Sequence, residues 1–184
     1  MIENNSKLAH KFKPLFTALQ IRNKIKTLAT QLNKDNKNDA NTIFVGILNG
    51  AVFFLTDLMI QLNFTAELDF IQASSYGSEI ETSGNVTLSN LSQLDLNNKH
   101  VIVVDDIIDT GLTLLKIKTT IQEKFTPKSV KTCVLLKKYG RERVHVDIDY
   151  YCFEIDNKFV VGYGLDINNQ YRNLDGIYYL DNHD

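Results

Sequence analysis

Apolar residues along this chain fall into short continuous runs, separated by stretches with helical spacing. Residues 101–104, Val-Ile-Val-Val, lack the alternation of a half-exposed strand and predict one buried on both faces. Thr42–Leu48 and Ser129–Lys138 predict two more strands, and residues 64–73 a fourth with looser alternation. Short strands are expected at 149–153 and 159–162. Between these runs lie helical patterns. Within 16–32 the apolar positions Leu19, Ile21, Ile25, Leu28 and Leu32 mark an amphipathic helix. Residues 51–62 are apolar on all sides and predict a helix packed on a sheet, and 113–125 predict a third helix. The Asn/Asp/Lys-rich segment 33–41 reads as a loop, Asn49-Gly50 as a turn, and the small, polar stretch 74–85 as a long loop. Strands alternating with helices predict an α/β protein with a mostly parallel central sheet flanked by helices.

Composition narrows the class. A chain of 184 residues fits a single domain, and 43% hydrophobic residues supply a core. With 20 basic and 22 acidic residues the net charge is −2, without the basic footprint of a nucleic-acid binder. Cys133 and Cys152 both sit in apolar strand-like runs, which predicts buried free thiols. No apolar stretch approaches the ~20 residues of a membrane span, and the polar N-terminus shows no signal-peptide core. A soluble cytoplasmic protein is expected, with no nucleic-acid or membrane partner.

Chemistry concentrates in Val-Ile-Val-Val-Asp-Asp-Ile-Ile-Asp-Thr-Gly-Leu-Thr, residues 101–113. It reads as strand, acidic loop, helix, and ligands of open parallel sheets sit where strands end and helices begin. Taken singly, Asp105 and Asp106 read as solvated strand-end acids and Asp109 as a helix N-cap. Together with Gly111 and the hydroxyls of Thr110 and Thr113, they form an acidic cluster beside an anion cradle at a helix N-terminus. Such a pairing calls for a cation or a hydroxyl-rich ligand between the two. Magnesium, which prefers few carboxylates with waters and substrate oxygens, suits it. A phosphatase with an Asp-x-Asp pair is a competing reading, but the spacing here is Asp-Asp-x-x-Asp.

This segment resembles the phosphoribosyl diphosphate signature of the type I phosphoribosyltransferases. Three further motifs follow the order of the hypoxanthine–guanine members: Phe-Val-Gly-Ile-Leu-Asn-Gly-Ala at 44–51, Ser-Ser-Tyr-Gly at 74–77, and Lys-Phe-Val-Val-Gly-Tyr-Gly-Leu-Asp at 158–166 with Tyr-Arg-Asn-Leu at 171–174. The resemblance implies the type I phosphoribosyltransferase fold over residues 1–184, with a small hood from the N-terminal residues and roughly 150–184.

It also implies roles. Asp105 and Asp106 would face the ribose hydroxyls and the metal; the family's first acid is more often Glu, so Asp105 has a shorter reach. Asp109 occupies the place of the proposed acid/base residue beside purine N7. Asp109, Thr110, Gly111, Leu112 and Thr113 would hold the 5′-phosphate, with Leu112 replacing the Lys of some members. Lys138 resembles the lysine that bonds purine O6, Phe159 would stack on the base, and Val160 would read its edge through the backbone. Asp166 would hold a second magnesium on the diphosphate, often through water, and belongs with the purine-binding residues; Arg172 would contact the leaving diphosphate. Leu48-Asn49 corresponds to the family's non-proline cis peptide, which together with Gly50 binds diphosphate; Asn49 stands where some members have Lys. Ser75 and Tyr76 would begin a lid over the diphosphate.

The implied reaction transfers phosphoribose to N9 of hypoxanthine or guanine with Mg2+ as cofactor, in a homodimer or homotetramer. An RNA-binding regulator that kept the fold is the alternative, and the acidic pI of about 6.1 argues against it.

Overall fold

A computed structural model describes residues 12–36, 41–75 and 86–180. The elements are β1 (Phe12–Phe16), α1 (Ala18–Asp35), β2 (Thr42–Leu48), α2 (Val52–Met59), β3 (Ala66–Ser75), β4 (Val86–Ser89), β5 (His100–Ile108), α3 (Leu112–Lys124), β6 (Ser129–Lys138), β7 (Tyr150–Ile155), β8 (Val160–Val161) and β9 (Ile177–Leu180). Six strands form the central sheet in the order β4-β3-β2-β5-β6-β7, parallel except for β4. A second sheet, β1-β9-β8, is antiparallel and three-stranded.

Continuous apolar strands are explained by cover on both faces. Ile43, Val45, Val101 and Val103 point into a cluster with Leu114, Ile117 and Ile121 of α3. Their neighbours Phe44, Ile102 and Val104 point the other way, into Ile21, Ile25 and Leu32 of α1 and Phe54, Leu55 and Leu58 of α2. The period of two thus sorts each strand between two helical layers. Each fully buried side chain such as Ile25 or Leu58 contributes about 1.5–3 kcal/mol. The small sheet joins the second cluster through Val160 and Ile177, and Phe16 stacks on Phe153 at 4.0 Å between ring centres.

Element types agree with the sequence pattern while several bounds move. Helix α1 begins at Ala18, because Thr17 forms a capping box with Gln20, and continues to Asp35, into the expected loop. Helix α2 covers only Val52–Met59 and is not buried all round: Phe53 and Ile60 remain exposed. Strands β1, β4 and β9 were not predicted. They are only four or five residues long, and two of them pair solely within the small sheet. Cys133 and Cys152 are free and buried, as expected. No helix among the described residues is long and apolar enough to cross a membrane.

Order and direction place the site. From β2 the chain moves through α2 to β3 on one side; from β5 it moves through α3 to β6 on the other. The carboxyl ends of β2 and β5 therefore flank the switch point of the sheet, where open α/β sheets bind ligands.

Candidate active site

Strand β5 outruns β2. Pairing with β2 ends at Gly46↔Val104, whereas pairing with β6 continues to Ile108↔Lys137. Asp105 and Asp106 thus lie on the strand itself, with one edge unpaired, and not in a loop beyond it as the sequence suggested. The apolar residues Ile107 and Ile108 explain the extension, since Ile108 is buried against the α3 side. Asp105 is only 8% exposed. Its Oδ1 accepts from the Asp106 amide at 3.0 Å, and Asp106 Oδ1 accepts from the Ile107 amide at 2.8 Å. Burial, and then the charge of Asp106, push the Asp105 carboxyl well above the usual carboxylate range. Burial also raises Asp106, against the opposing pull of Asp105, the Ile107 amide and Arg172. Two adjacent acids, one buried and one half-buried, with so little countercharge suit a cation or ribose hydroxyls.

The Leu48–Asn49 peptide is cis, and Gly50 follows it against the acids. A Cβ on Gly50 would stand 1.7 Å from Asp106 Oδ2, and one on Gly164 would stand 2.2 Å from the Gly50 carbonyl oxygen. Only bare backbone fits between these groups. Arg172 closes the arrangement. It donates to the Gly164 carbonyl and pairs with Asp166 Oδ1 at 2.6 Å, while Asp166 Oδ2 accepts from the Asn169 amide at 2.7 Å. Asp166 therefore sits with Arg172, and among the described residues no group of three or more His, Cys, Asp or Glu side chains forms a metal cluster. Ser75 ends β3, and Tyr76 lies outside the described residues.

Gly111 turns the chain with φ +81° into α3, whose first turn carries no acid. The first amides of a helix lack internal acceptors and attract anions. A cavity of about 100 Å3 opens there, lined in part by Asp105, Asp109, Thr110, Gly111 and Thr113. The chain between β6 and β7 packs on the same loop. The amides of Arg143 and Val144 both donate to the Thr110 carbonyl, at 3.0 and 3.4 Å, and Val144 O would lie 2.9 Å from a Cβ on Gly111.

Asp109 and Lys138 come together. Lys138 Nζ lies 3.7 Å from Asp109 Oδ2, because the register Ile108↔Lys137 brings the two following residues abreast. On the other carboxylate oxygen, Arg141 Nε donates to Oδ1 at 3.1 Å. Phe159 precedes β8 and is 57% exposed, the most exposed of the described aromatic residues. Val160 is buried and pairs with Tyr179.

Residues 15–168 match the family described as the phosphoribosyl transferase domain. A hypoxanthine-guanine-xanthine phosphoribosyltransferase of Tritrichomonas foetus is 40% identical over 161 residues, covering 87% of this chain and 86% of that protein. A hypoxanthine-guanine phosphoribosyltransferase of Aquifex aeolicus is 37% identical, covering 93% and 96%. The chain belongs to the phosphoribosyltransferase family. Its fold superposes on the crystal structure of a hypoxanthine phosphoribosyltransferase from Staphylococcus aureus with a TM-score of 0.90, at 34% identity and 96% coverage of both chains. This phosphoribosyltransferase is an enzyme of purine-base phosphoribosyl transfer. Two residues of this candidate site were not legible in the sequence. Arg141 lies 32 positions from the carboxylate it holds, and Gly164 enters through its close packing on Gly50 and its carbonyl's bond from Arg172. The one local signal for Arg141 is Gly140, whose φ of +72° turns the chain immediately after Lys138.

Proposed function

We propose that this phosphoribosyltransferase moves the 5-phosphoribosyl group from 5-phosphoribosyl 1-diphosphate to N9 of hypoxanthine and guanine, giving IMP or GMP and diphosphate. The pairing of Asp109 with Lys138 at 3.7 Å carries this reading. A 6-oxopurine presents O6, an acceptor, and N7 on one edge. An ammonium beside a carboxylate offers a donor for O6 and an acceptor for an N7 proton. Adenine brings an amino donor to the same place, where Lys138 has only donors to offer, and is disfavoured. The names of the relatives share this 6-oxo edge and differ at the purine 2-position.

As N9 bonds to C1′, the bond from C1′ to the diphosphate oxygen breaks, and its electron pair leaves with diphosphate. The N7 proton passes to Asp109, which leaves the product purine neutral. Asp105 and Asp106 are assigned to the ribose hydroxyls and to the metal, their negative charge offsetting the positive charge that develops on the ribose. Mg2+ fits these residues in number and type, and when bound with the donor it would neutralise charge on the diphosphate oxygens. Asp109, Thr110, Gly111, Leu112 and Thr113 receive the 5′-phosphate, Leu112 through its amide alone. Leu48, Asn49, Gly50 and Arg172 take the diphosphate, with Ser75 and Tyr76 opening the lid. Asp166 is placed at a second magnesium, through water, since its carboxylate is already held by Arg172. Phe159 stacks on the base and Val160 reads its edge, with the small sheet β1-β9-β8 as the hood. The reading includes a cytoplasmic homodimer or homotetramer, which light scattering on the purified protein tests.

The direct experiment incubates the protein with Mg2+, the ribosyl diphosphate and each of hypoxanthine, guanine, xanthine and adenine. Nucleotide from hypoxanthine and guanine, and little from adenine, is expected. Nucleotide from none of the four would overturn the function, and adenine used as well as hypoxanthine would overturn the assignment of Lys138.

A further inference from the structure

We propose that Arg141 is a positioning residue that fixes which oxygen of Asp109 meets the purine. The inference rests on the role given to Asp109 above. A carboxylate at the end of an aspartate turns readily, because its terminal torsion is broad. Here the two oxygens are held from two sides, Oδ1 by Arg141 Nε at 3.1 Å and Oδ2 by Lys138 Nζ at 3.7 Å. Lys138 also serves the base, so Arg141 is assigned to hold the carboxylate plane while Lys138 exchanges partners. Oδ2 is then the oxygen left beside O6 and N7.

Arg141 is itself held in place. Gly140, with φ +72°, turns the chain back after β6, and two residues farther on the Arg143 and Val144 amides are tied to Thr110, next to Asp109. The segment between β6 and β7 thus grips the loop of Asp109 at a backbone carbonyl and at a side chain. With side-chain exposures of 46% and 35%, the Arg141–Asp109 pair is too open to add much to stability. Its consequence is geometric, and small misplacements of a reacting group are costly in rate.

A double-mutant cycle tests the assignment, read in single-turnover nucleotide formation and in the KM for the ribosyl diphosphate. Arg141→Gln should slow the single turnover about tenfold and leave that KM within about twofold. In the Asp109→Asn background the same change should cost less than about twofold, because the group to be positioned is gone. An unchanged single-turnover rate for Arg141→Gln would overturn the proposal. An equal loss in both backgrounds, or a loss matched by a rise in KM, would also overturn it by assigning Arg141 to loop structure. Failure of the reading beneath it is distinguishable: Asp109→Asn alone would then leave the rate unchanged.

Discussion

In the proposed site, the residues assigned to ribose and phosphate and those assigned to the base form two halves that are built by different means. The first is nearly continuous in the chain. Asp105, Asp106 and residues 109–113 follow one another along the end of β5, a glycine turn and the start of α3. Local rules set their positions: a strand end, a left-handed glycine, the free amides of a helix. The base half is assembled. It takes Asp109 from that segment, Lys138 from the end of β6, Arg141 from beyond Gly140, and Phe159 from the approach to β8. Parallel pairing of β5 with β6, not proximity in sequence, holds Asp109 beside Lys138. Donor binding and base choice can therefore change separately, since only Asp109 belongs to both.

The largest expected effect lies where the ribose–phosphate half meets its neighbours without room to spare. Gly50→Ala places a methyl 1.7 Å from Asp106 Oδ2, against backbone that Gly164 supports from behind. Relief requires moving the acid or the peptide meant for diphosphate. We expect kcat/KM for the ribosyl diphosphate to fall by roughly a hundredfold or more, with the far-UV circular dichroism retained. Steady-state kinetics at saturating hypoxanthine measures this. A loss below about threefold would show that this half tolerates displacement and would blur the contrast between the halves.

The same division decides how much was legible in the sequence. Residues 101–113 pointed to a phosphate–metal site by composition alone, because every candidate member lies within a few positions of the next. Even there the acids were assigned to a loop, since single-chain periodicity cannot show that β6 keeps pairing beyond the point where β2 stops. Lys138 and Phe159 were singled out through family spacing, while Arg141 escaped because, Gly140 apart, its signal is a contact across 32 residues. Strands β1 and β9 were missed for the same reason. Their mutual pairing joins the two ends of the chain, as in Phe12↔Leu180.

An intermediate effect is expected at Phe159. The residue is 57% exposed and contributes little to the core, so Phe159→Ala should leave the melting temperature nearly unchanged. Loss of a stacking surface should raise the KM for hypoxanthine about tenfold, leaving the KM for the ribosyl diphosphate within about twofold. A change confined to the donor's KM would move Phe159 to the other half of the site. A large fall in melting temperature would make it a core residue of the small sheet.

The smallest effect should come from the buried thiols of β6 and β7, the strands joined by the segment that carries Arg141. Cys133 and Cys152 lie in β6 and β7, and burial raises both, Cys152 from its ordinary 9.0 up to about 12 and Cys133 well above 9.0. The thiolate is the form that alkylates, so neither side chain should react with iodoacetamide at about pH 8 in the native protein, while both react in urea. The same shifts fix a stability trend. The folded protein keeps thiol protons that the unfolded chain gives up near pH 9, so the unfolded state binds fewer protons above that point. The contribution is fully present below about pH 9 and is lost as pH climbs toward the folded-state values. Burial together with the Asp35 contact raises Tyr150 too, which adds to the loss at the alkaline end. The urea midpoint should therefore hold steady from about pH 7 to 8.5 and decline above about pH 9. Rapid native labelling of Cys133 or Cys152 would mean that β6 and β7 part without global unfolding. The base half would then be the softer of the two, because Lys138 and Arg141 hang from the end of β6 while Asp105 and Asp106 do not.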